Sequence, residues 1–133
     1  MIVAVALLLL AQADNAEPDQ VCDDPQTQHA MNTCASMDFE QADERLNEQW
    51  RETADYMRTL DAGLDRENDS QPGHYEILLE GQRAWLAFRD AQCRSEGFMA
   101  RGGSMEPMLV SQCKAYMTEL RIEQLRNLAA GPE

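Results

Sequence analysis

Residues 82–113 read QRAWLAFRDAQCRSEGFMARGGSMEPMLVSQC, and this stretch decides the fold. Its two cysteines lie symmetrically about a turn, because Cys93 is nine residues before Gly102 and Cys113 is nine residues after Ser104. In an antiparallel pair of helices the two cysteines are therefore level, and they can approach the Cα separation of about 5.5 Å that a disulfide needs. The stretch predicts a disulfide-linked helical hairpin on which the other segments pack.

The first arm of the hairpin is a predicted helix that begins at Tyr75 and runs to about Arg101. Steps of three and four residues give this helix one buried stripe, which consists of Leu78, Leu79, Gln82, Trp85, Leu86, Arg89 and Cys93. The double glycine Gly102-Gly103 suits the left-handed turn that follows a helix end.

The second arm is a predicted helix with Ser104 at its N-cap and with Glu106 and Pro107 in its first turn. Gly131-Pro132 ends it. Its expected buried stripe consists of Leu109, Cys113, Met117, Leu120, Gln124 and Leu128. No segment of the chain alternates convincingly with period two, so no strand is predicted.

A long amphipathic helix precedes the hairpin. Asp24 can cap it and Pro25 suits its first position, so the predicted helix runs from Pro25 to Ala62. Its buried stripe consists of Met31, Ala35, Phe39, Ala42, Leu46, Trp50, Thr53, Met57 and Leu60. The predicted fold is all-α, with three main helices: one long N-terminal helix packed on a helical hairpin and stabilised by disulfides. A polar loop, residues 63–73, joins the long helix to the hairpin.

The amino-terminal sequence predicts export. Residues 1–13 contain an uncharged apolar run and end in Ala11-Gln12-Ala13, which is typical of a signal-peptidase site. The apolar run is shorter than the ~20 residues that span a bilayer. We therefore expect a signal peptide (1–13), a flexible acidic lead-in (14–23) and a helical domain (24–130). The expected mature protein is periplasmic or secreted and has no stable membrane anchor.

Four cysteines, Cys22, Cys34, Cys93 and Cys113, predict two disulfides in such an exported chain. Three pairings are possible. The hairpin geometry favours Cys93–Cys113 and leaves Cys22–Cys34, whereas the alternative ties Cys22 or Cys34 to the hairpin. The chain has no Cys-x-x-Cys pair, and its two histidines have no ligand spacing, so neither a metal nor another cofactor is predicted.

The negative charge is concentrated in the first half of the chain. The net charge is −13, and residues 14–74 contain 16 acidic and 4 basic residues, a balance of −12. On the long helix, the face opposite the buried stripe carries Asp38, Glu40, Asp43, Glu44, Glu48, Glu52 and Asp55. This charge disfavours nucleic acid and anionic membranes and favours a cationic protein partner. A solvated surface that only keeps the protein in solution is the simpler interpretation.

The polar residues of the hairpin stripe predict a structural network. Arg89 lies on the buried stripe, so we expect it to pair with Asp43 or Asn47 of the long helix, whereas Arg89 and Asp90 are too close in sequence to face each other. Trp85 and Gln82 lie on the same stripe, and a core role for Trp85 is favoured over sugar stacking. No pair of carboxylates is distinguished from the many others, and no nucleophile motif is present, so the sequence does not predict an enzyme.

Several motifs in this order resemble one known family, the LprI-type domain. The resemblance covers Cys22 to about Leu128 and includes TQHAMNTC (27–34), ADERLN (42–47), Leu79, QRAW (82–85), Arg89-Asp90, Cys93, GGS (102–104), Cys113, Thr118 and RIEQL (121–125). It implies a small exported helical protein of bacteria and, from the family's named member, inhibition of a lysozyme. That member is a lipoprotein, and this chain departs from it in having no lipid-attachment cysteine.

An inhibitor of this kind needs a surface that blocks the polysaccharide cleft of a lysozyme. The first candidate surface is the turn formed by Gly102, Gly103 and Ser104, although this turn can equally serve only to end one helix and begin the next. The 63–73 loop is the other candidate for entering the cleft, but its acidic residues would be repelled by catalytic carboxylates. The acidic face of the long helix, with Glu40, Glu44 and Glu48, is a further candidate surface, which would attract a cationic lysozyme. The alternative function is a cell-envelope interaction or structural protein that does not inhibit lysozyme.

Overall fold

The computed structural model describes residues 22–131, which form three α-helices. Helix α1 spans Gln28–Ala62, α2 spans His74–Gly97 and α3 spans Glu106–Ala130, with a short 3-10 turn at Phe98–Ala100 after α2. No strand occurs between residues 22 and 131, which confirms the predicted all-α class. The predicted signal peptide (1–13) and residues 14–21 of the predicted lead-in lie outside the described residues. Cys22 and Asp23, at the end of that lead-in, have helical backbone.

The three helices run up, down and up, so that α1 and α3 are parallel. At the lower end, Asn32 Nδ2 of α1 donates to the Ser104 carbonyl, 2.9 Å away, just before α3 begins. Near the upper end, Thr53 Oγ1 of α1 donates to the Leu125 carbonyl of α3 at 3.0 Å. The last turn of α1 also contacts the first residue of α2, which therefore returns antiparallel to both neighbours. The long helix packs on the α2–α3 hairpin as predicted, and more extensively on α3 than on α2.

The apolar core lies where all three helices meet. It consists of Leu46, Ala54, Met57, Leu78, Ile122 and Leu125, with Trp50, Tyr56, Leu60, Tyr75 and Trp85 packed around it. Two threonines, Thr53 and Thr118, are also fully buried, and each makes a hydrogen bond across a helix interface. Between residues 22 and 131, every buried polar side-chain atom has a hydrogen-bond partner. Burial of these groups is therefore compatible with a well-packed interior.

Both favoured disulfides are confirmed. Cys22 and Cys34 are joined with a Cα separation of 5.5 Å, and Cys93 and Cys113 with a Cα separation of 5.4 Å. The first disulfide closes the start of α1, and the second joins α2 to α3. By the chain-entropy argument, loops of this length stabilise the fold by about 3 kcal/mol each.

Two predicted helix starts are wrong. Helix α1 begins with Thr27 as its N-cap, and Thr27 Oγ1 accepts a hydrogen bond from the Ala30 N–H at 3.1 Å. The predicted cap residues, Asp24 and Pro25, lie before the helix, because the disulfide brings Cys22 back toward the level of Cys34 and residues 24–26 form the return.

Ser104 is likewise not the cap of α3. Met105 has the N-cap position without a side-chain cap bond, and the Ser104 carbonyl is used by Asn32. Helix α2, which was predicted to run to about Arg101, ends at Gly97, after which the 3-10 turn begins. Gly97 is buried against α3, and a Cβ built on it would overlap the Val110 Cγ2 methyl. Glycine therefore allows α2 and α3 to approach closely below their disulfide.

The predicted buried stripe of α3 is correct at Cys113 and wrong beyond Met117. The buried residues are Cys113, Thr118, Ile122 and Leu125, whereas Leu120 and Leu128 are each 47 % exposed. Because α3 contacts both α1 and α2, its buried face is shifted by about one residue from the predicted stripe. This face includes Thr118, whose hydroxyl accepts a hydrogen bond from Arg89. On α2, Leu78, Gln82, Arg89 and Cys93 are buried, but Leu86 is exposed.

The start of α2 is capped by a residue of α1. Its N-cap residue, Gly73, has no side chain, and the Asp61 carboxylate accepts hydrogen bonds from the His74 N–H at 2.6 Å and the Tyr75 N–H at 3.0 Å. The bond from Tyr75, followed by those from His74, lowers the pKa of the Asp61 carboxyl. A Cβ on Gly73 would lie 3.0 Å from Asp61 Oδ2, so the missing side chain lets the carboxylate approach.

Candidate functional site

Arg89 joins the three helices through one buried guanidinium. It is only 5 % exposed. Its Nη1 donates to Asp43 Oδ1 of α1 and to Thr118 Oγ1 of α3, both at 3.2 Å. The structure places Asp43 beside it, whereas Asn47 is exposed and is not among its hydrogen-bond partners. A buried charge is costly unless it is paired and hydrogen-bonded, and Asp43 and Thr118 provide these partners for Arg89.

Asp90 belongs to this network as expected, but it pairs directly with Arg89, which the adjacent positions of the two residues did not predict. Arg89 Nε donates to Asp90 Oδ1 at 3.0 Å. Lys114 Nζ of α3 lies 3.4 Å from the same carboxylate oxygen. Asp90 thus accepts a hydrogen bond from Arg89 of its own helix and forms an ion pair with Lys114 of α3.

Trp85 is half-buried, and two guanidinium groups lie near its ring. The Arg89 and Arg121 guanidinium carbons are 5.1 Å and 5.8 Å from the centre of its ring. Gln82 Oε1 accepts from Arg121 Nε at 2.9 Å. Burial lowers the pKa of the Arg121 guanidinium, although a group of this kind stays protonated near neutral pH. The Trp85 ring packs against the core and lies close to two cationic groups, an arrangement that fits a core role better than stacking on a sugar.

The acidic face of α1 contains a row of carboxylates without basic partners. Glu40, Glu44 and Glu48 are exposed and follow one another by four residues, which places them on successive turns of one face. Within residues 22–131, no basic side chain forms an ion pair with any of the three. Arg45, which lies between them in sequence, instead pairs with Glu119 of α3. We call these three residues the acidic ridge.

The predicted glycine turn is held by local hydrogen bonds. Gly102 has a φ of 77°, in the left-handed region, and its N–H donates to Glu106 Oε2 at 2.7 Å. The Gly103 N–H donates to the Ala100 carbonyl at 2.8 Å, and Asn32 fastens the Ser104 carbonyl to α1. The turn therefore has a clear structural role, which is the simpler of the two interpretations of its sequence.

The side chains around the turn were missed by sequence reasoning. Residues 98–105, which we call the hairpin tip, expose three large apolar side chains, and Met99 is 87 % exposed. The other two are Phe98 and Met105. Helical periodicity does not report them, because the 3-10 turn ends the regular spacing after Gly97. Three closely spaced large apolar residues at the one turn with a double glycine were the signal that sequence offered.

An open groove of about 580 Å³ lies at the opposite end of the bundle, between α2, α3 and the 63–73 loop. Its apolar lining includes Met57, Leu64, Ile77, Leu78 and Leu128, and Arg121 lies at its edge. None of the residues predicted as partner-binding lines it.

The described part of the chain contains no cluster of three or more histidine, cysteine or carboxylate groups that could hold a metal ion. None of the helices described between residues 22 and 131 has the length and apolarity to cross a membrane.

Comparison with known proteins gives a family for this arrangement. The family described as lysozyme inhibitor LprI matches residues 22–125, which include both disulfides and nearly all of the three helices. An uncharacterized protein of Rhizobium meliloti (strain 1021) is 40% identical over 132 residues, covering 98% of this chain and 95% of that protein. No solved structure matches. The family is described as one of inhibitors rather than of enzymes. The extent of the match shows that the chain belongs to the lysozyme inhibitor LprI family.

Proposed function

We propose that this protein is an exported inhibitor that binds a cationic, peptidoglycan-cleaving lysozyme and blocks it. The observation that carries the proposal is the family match across residues 22–125. A shared family does not by itself fix the partner. The charge distribution of α1 supports a cationic one.

The acidic ridge is suited to attract such a partner. Glu40, Glu44 and Glu48 project one charge from each of three successive turns, and no described basic side chain offsets them. Charge of one sign on a surface raises the rate of encounter with an oppositely charged protein by about 10-fold to 1,000-fold, and the effect falls steeply with salt. The ridge therefore acts on the association rate more than on the lifetime of the complex.

The two disulfides support export. Disulfides form and persist in oxidising compartments such as the periplasm and the extracellular space, where lysozymes also meet the cell wall. A periplasmic or secreted location is thus part of the proposal.

The test compares the wild-type protein with a ridge variant in which Glu40, Glu44 and Glu48 are replaced by glutamine. A matched control carries the same change of charge at three exposed glutamates of α2, Glu76, Glu80 and Glu96. Association rates with lysozymes of several classes are measured at low salt and at about 0.5 M salt, where the screening length falls to about 4 Å. We expect the ridge variant to associate roughly 3-fold to 10-fold more slowly at low salt, and the difference to vanish at high salt.

The alternative is a cell-envelope interaction or structural protein without effect on lysozyme. Absence of inhibition of every lysozyme class at micromolar protein would favour that alternative. Equal association rates for the ridge variant and the control would remove the ridge from the proposal but leave inhibition in place.

A further inference from the structure

We infer that the hairpin tip enters the substrate cleft of the lysozyme; this inference rests on the proposed function. The tip combines exposed apolar side chains, an exposed cation and a fixed backbone at one end of the bundle. The turn glycines and Ser104 are its scaffold, and the neighbouring side chains make the contacts.

The first observation is the apolar surface of the tip. Met99 is the most exposed large hydrophobic residue of those described, at 87 %, and Phe98 directly before it and Met105 across the turn are also exposed. On the surface of a soluble protein, large apolar side chains are normally scattered singly, and a group of them is typical of a binding site. Methionine and aromatic residues are also enriched at the centres of protein interfaces. The composition therefore favours a contact with another protein.

The second observation is Arg101. Its guanidinium carbon lies 4.8 Å from the centre of the Phe98 ring, and no ion pair involves it within the described part of the chain. This cation is exposed in a protein whose net charge is −13. A lysozyme cleft contains two catalytic carboxylates, and a guanidinium stacked on an aromatic ring is a rigid fork for a carboxylate. The tip thus complements the acidic cleft, whereas the acidic ridge complements the cationic remainder of the enzyme.

The third observation is that the tip is fixed before binding. The Arg101 N–H donates to the Phe98 carbonyl at 3.2 Å, and the turn bonds at Gly102 and Gly103 follow it. Asn32 ties the turn to α1, and the Cys93–Cys113 disulfide joins the two arms behind it. A loop that is already ordered loses little conformational freedom on binding. A Cβ at Gly102 would meet no atom within 4 Å, so this backbone is open to close approach.

The experiment measures inhibition constants and dissociation rates for tip variants and for matched controls. Arg101→Glu is compared with Arg83→Glu, an identical charge change at an exposed arginine of α2 that has no ion pair within residues 22–131. Met99→Ala is compared with Leu120→Ala, at an exposed apolar residue of α3. The tip variants are expected to weaken inhibition by on the order of 10-fold each, through faster dissociation, and the controls by less than about 2-fold. Circular dichroism checks that all four variants are folded.

A second measurement uses an N-acetylglucosamine trimer as a competitor for the cleft. Competition between the trimer and the wild-type protein for lysozyme supports the inference. If the protein inhibits but its tip variants match their controls, or the trimer does not compete, the tip is not the inserted element and the proposed function still stands. If the wild-type protein inhibits no lysozyme, the proposed function fails, and the inference fails with it.

Discussion

Replacement of Arg89 by alanine is expected to destabilise the bundle more than any other single removal of a charge. The substitution removes hydrogen bonds to Asp43, Asp90 and Thr118 and the contacts of the guanidinium with two aromatic rings. Breaking a fully buried ion pair costs about 3–5 kcal/mol. Here the Asp43 and Asp90 side chains are 40% and 50% exposed, so water solvates them after the substitution. We therefore expect a loss of about 2–3 kcal/mol.

Urea unfolding with the disulfides intact measures this loss, and thermal unfolding should show a decrease in Tm of about 8–13 °C. Arg83→Ala, at an exposed position of the same helix, is the control and should change stability by less than about 0.5 kcal/mol. Arg89→Lys should recover only part of the loss, because an ammonium group cannot reproduce the planar fork. Stability of Arg89→Ala within about 0.5 kcal/mol of the wild type would refute the idea that this guanidinium holds the three helices together.

Three further predictions concern the helix junctions. Gly97→Ala should cost about 1–3 kcal/mol by overpacking, and adding Val110→Ala should recover most of it in the same urea assay; lack of recovery would contradict the assigned contact. The folded-state pKa of Asp61 is lowered, so the stability it contributes is present above its unfolded pKa of about 3.9 and is lost as the pH falls through the folded value. The stability of Asp61→Asn should therefore depend less on pH in this acidic range. The same pH dependence of stability as in the wild type would exclude a capping role for the Asp61 carboxylate. Replacing Cys93 and Cys113 by serine should cost about 3 kcal/mol, and a loss below about 1 kcal/mol would show that the hairpin does not need its disulfide.

The helices and the disulfides were predictable because their signals are local. Helical spacing identified α1 and α2, and the equal distances of Cys93 and Cys113 from the glycine turn identified their pairing. The helix starts were less predictable. The Cys22–Cys34 disulfide moves the start of α1 to Thr27, and this effect depends on a covalent bond rather than on the capping preference of Asp24.

The errors in α3 and at the tip have tertiary causes. Apolarity alone favours Leu120 and Leu128 for the interior, but Thr118 is buried because Arg89 of another helix satisfies its hydroxyl. Gly97 reads as a poor residue for a helix interior, although it is required by the close approach of Val110. Met99 is exposed within the 3-10 turn at Phe98–Ala100, where the helical spacing has ended. None of these contacts can be obtained from the periodicity of a single helix.

The sequence shows the negative charge of the acidic ridge, but it does not distinguish these carboxylates from those in ion pairs. Sequence does not tell which carboxylates are paired, and the structure separates Glu119, which pairs with Arg45, from Glu44 and Glu48, for which no ion pair occurs within residues 22–131. The distinction matters because an isolated exposed carboxylate contributes to the field of the protein more than one in an ion pair does.

Inhibition of a cationic lysozyme is best tested by titrating a fixed concentration of enzyme with this protein while peptidoglycan hydrolysis is followed at low salt. We expect the activity to fall toward zero as a one-to-one complex saturates, and about 0.5 M salt to shift the titration to higher protein concentration. Hydrolysis that continues at the uninhibited rate with every lysozyme class, at micromolar protein, would contradict it.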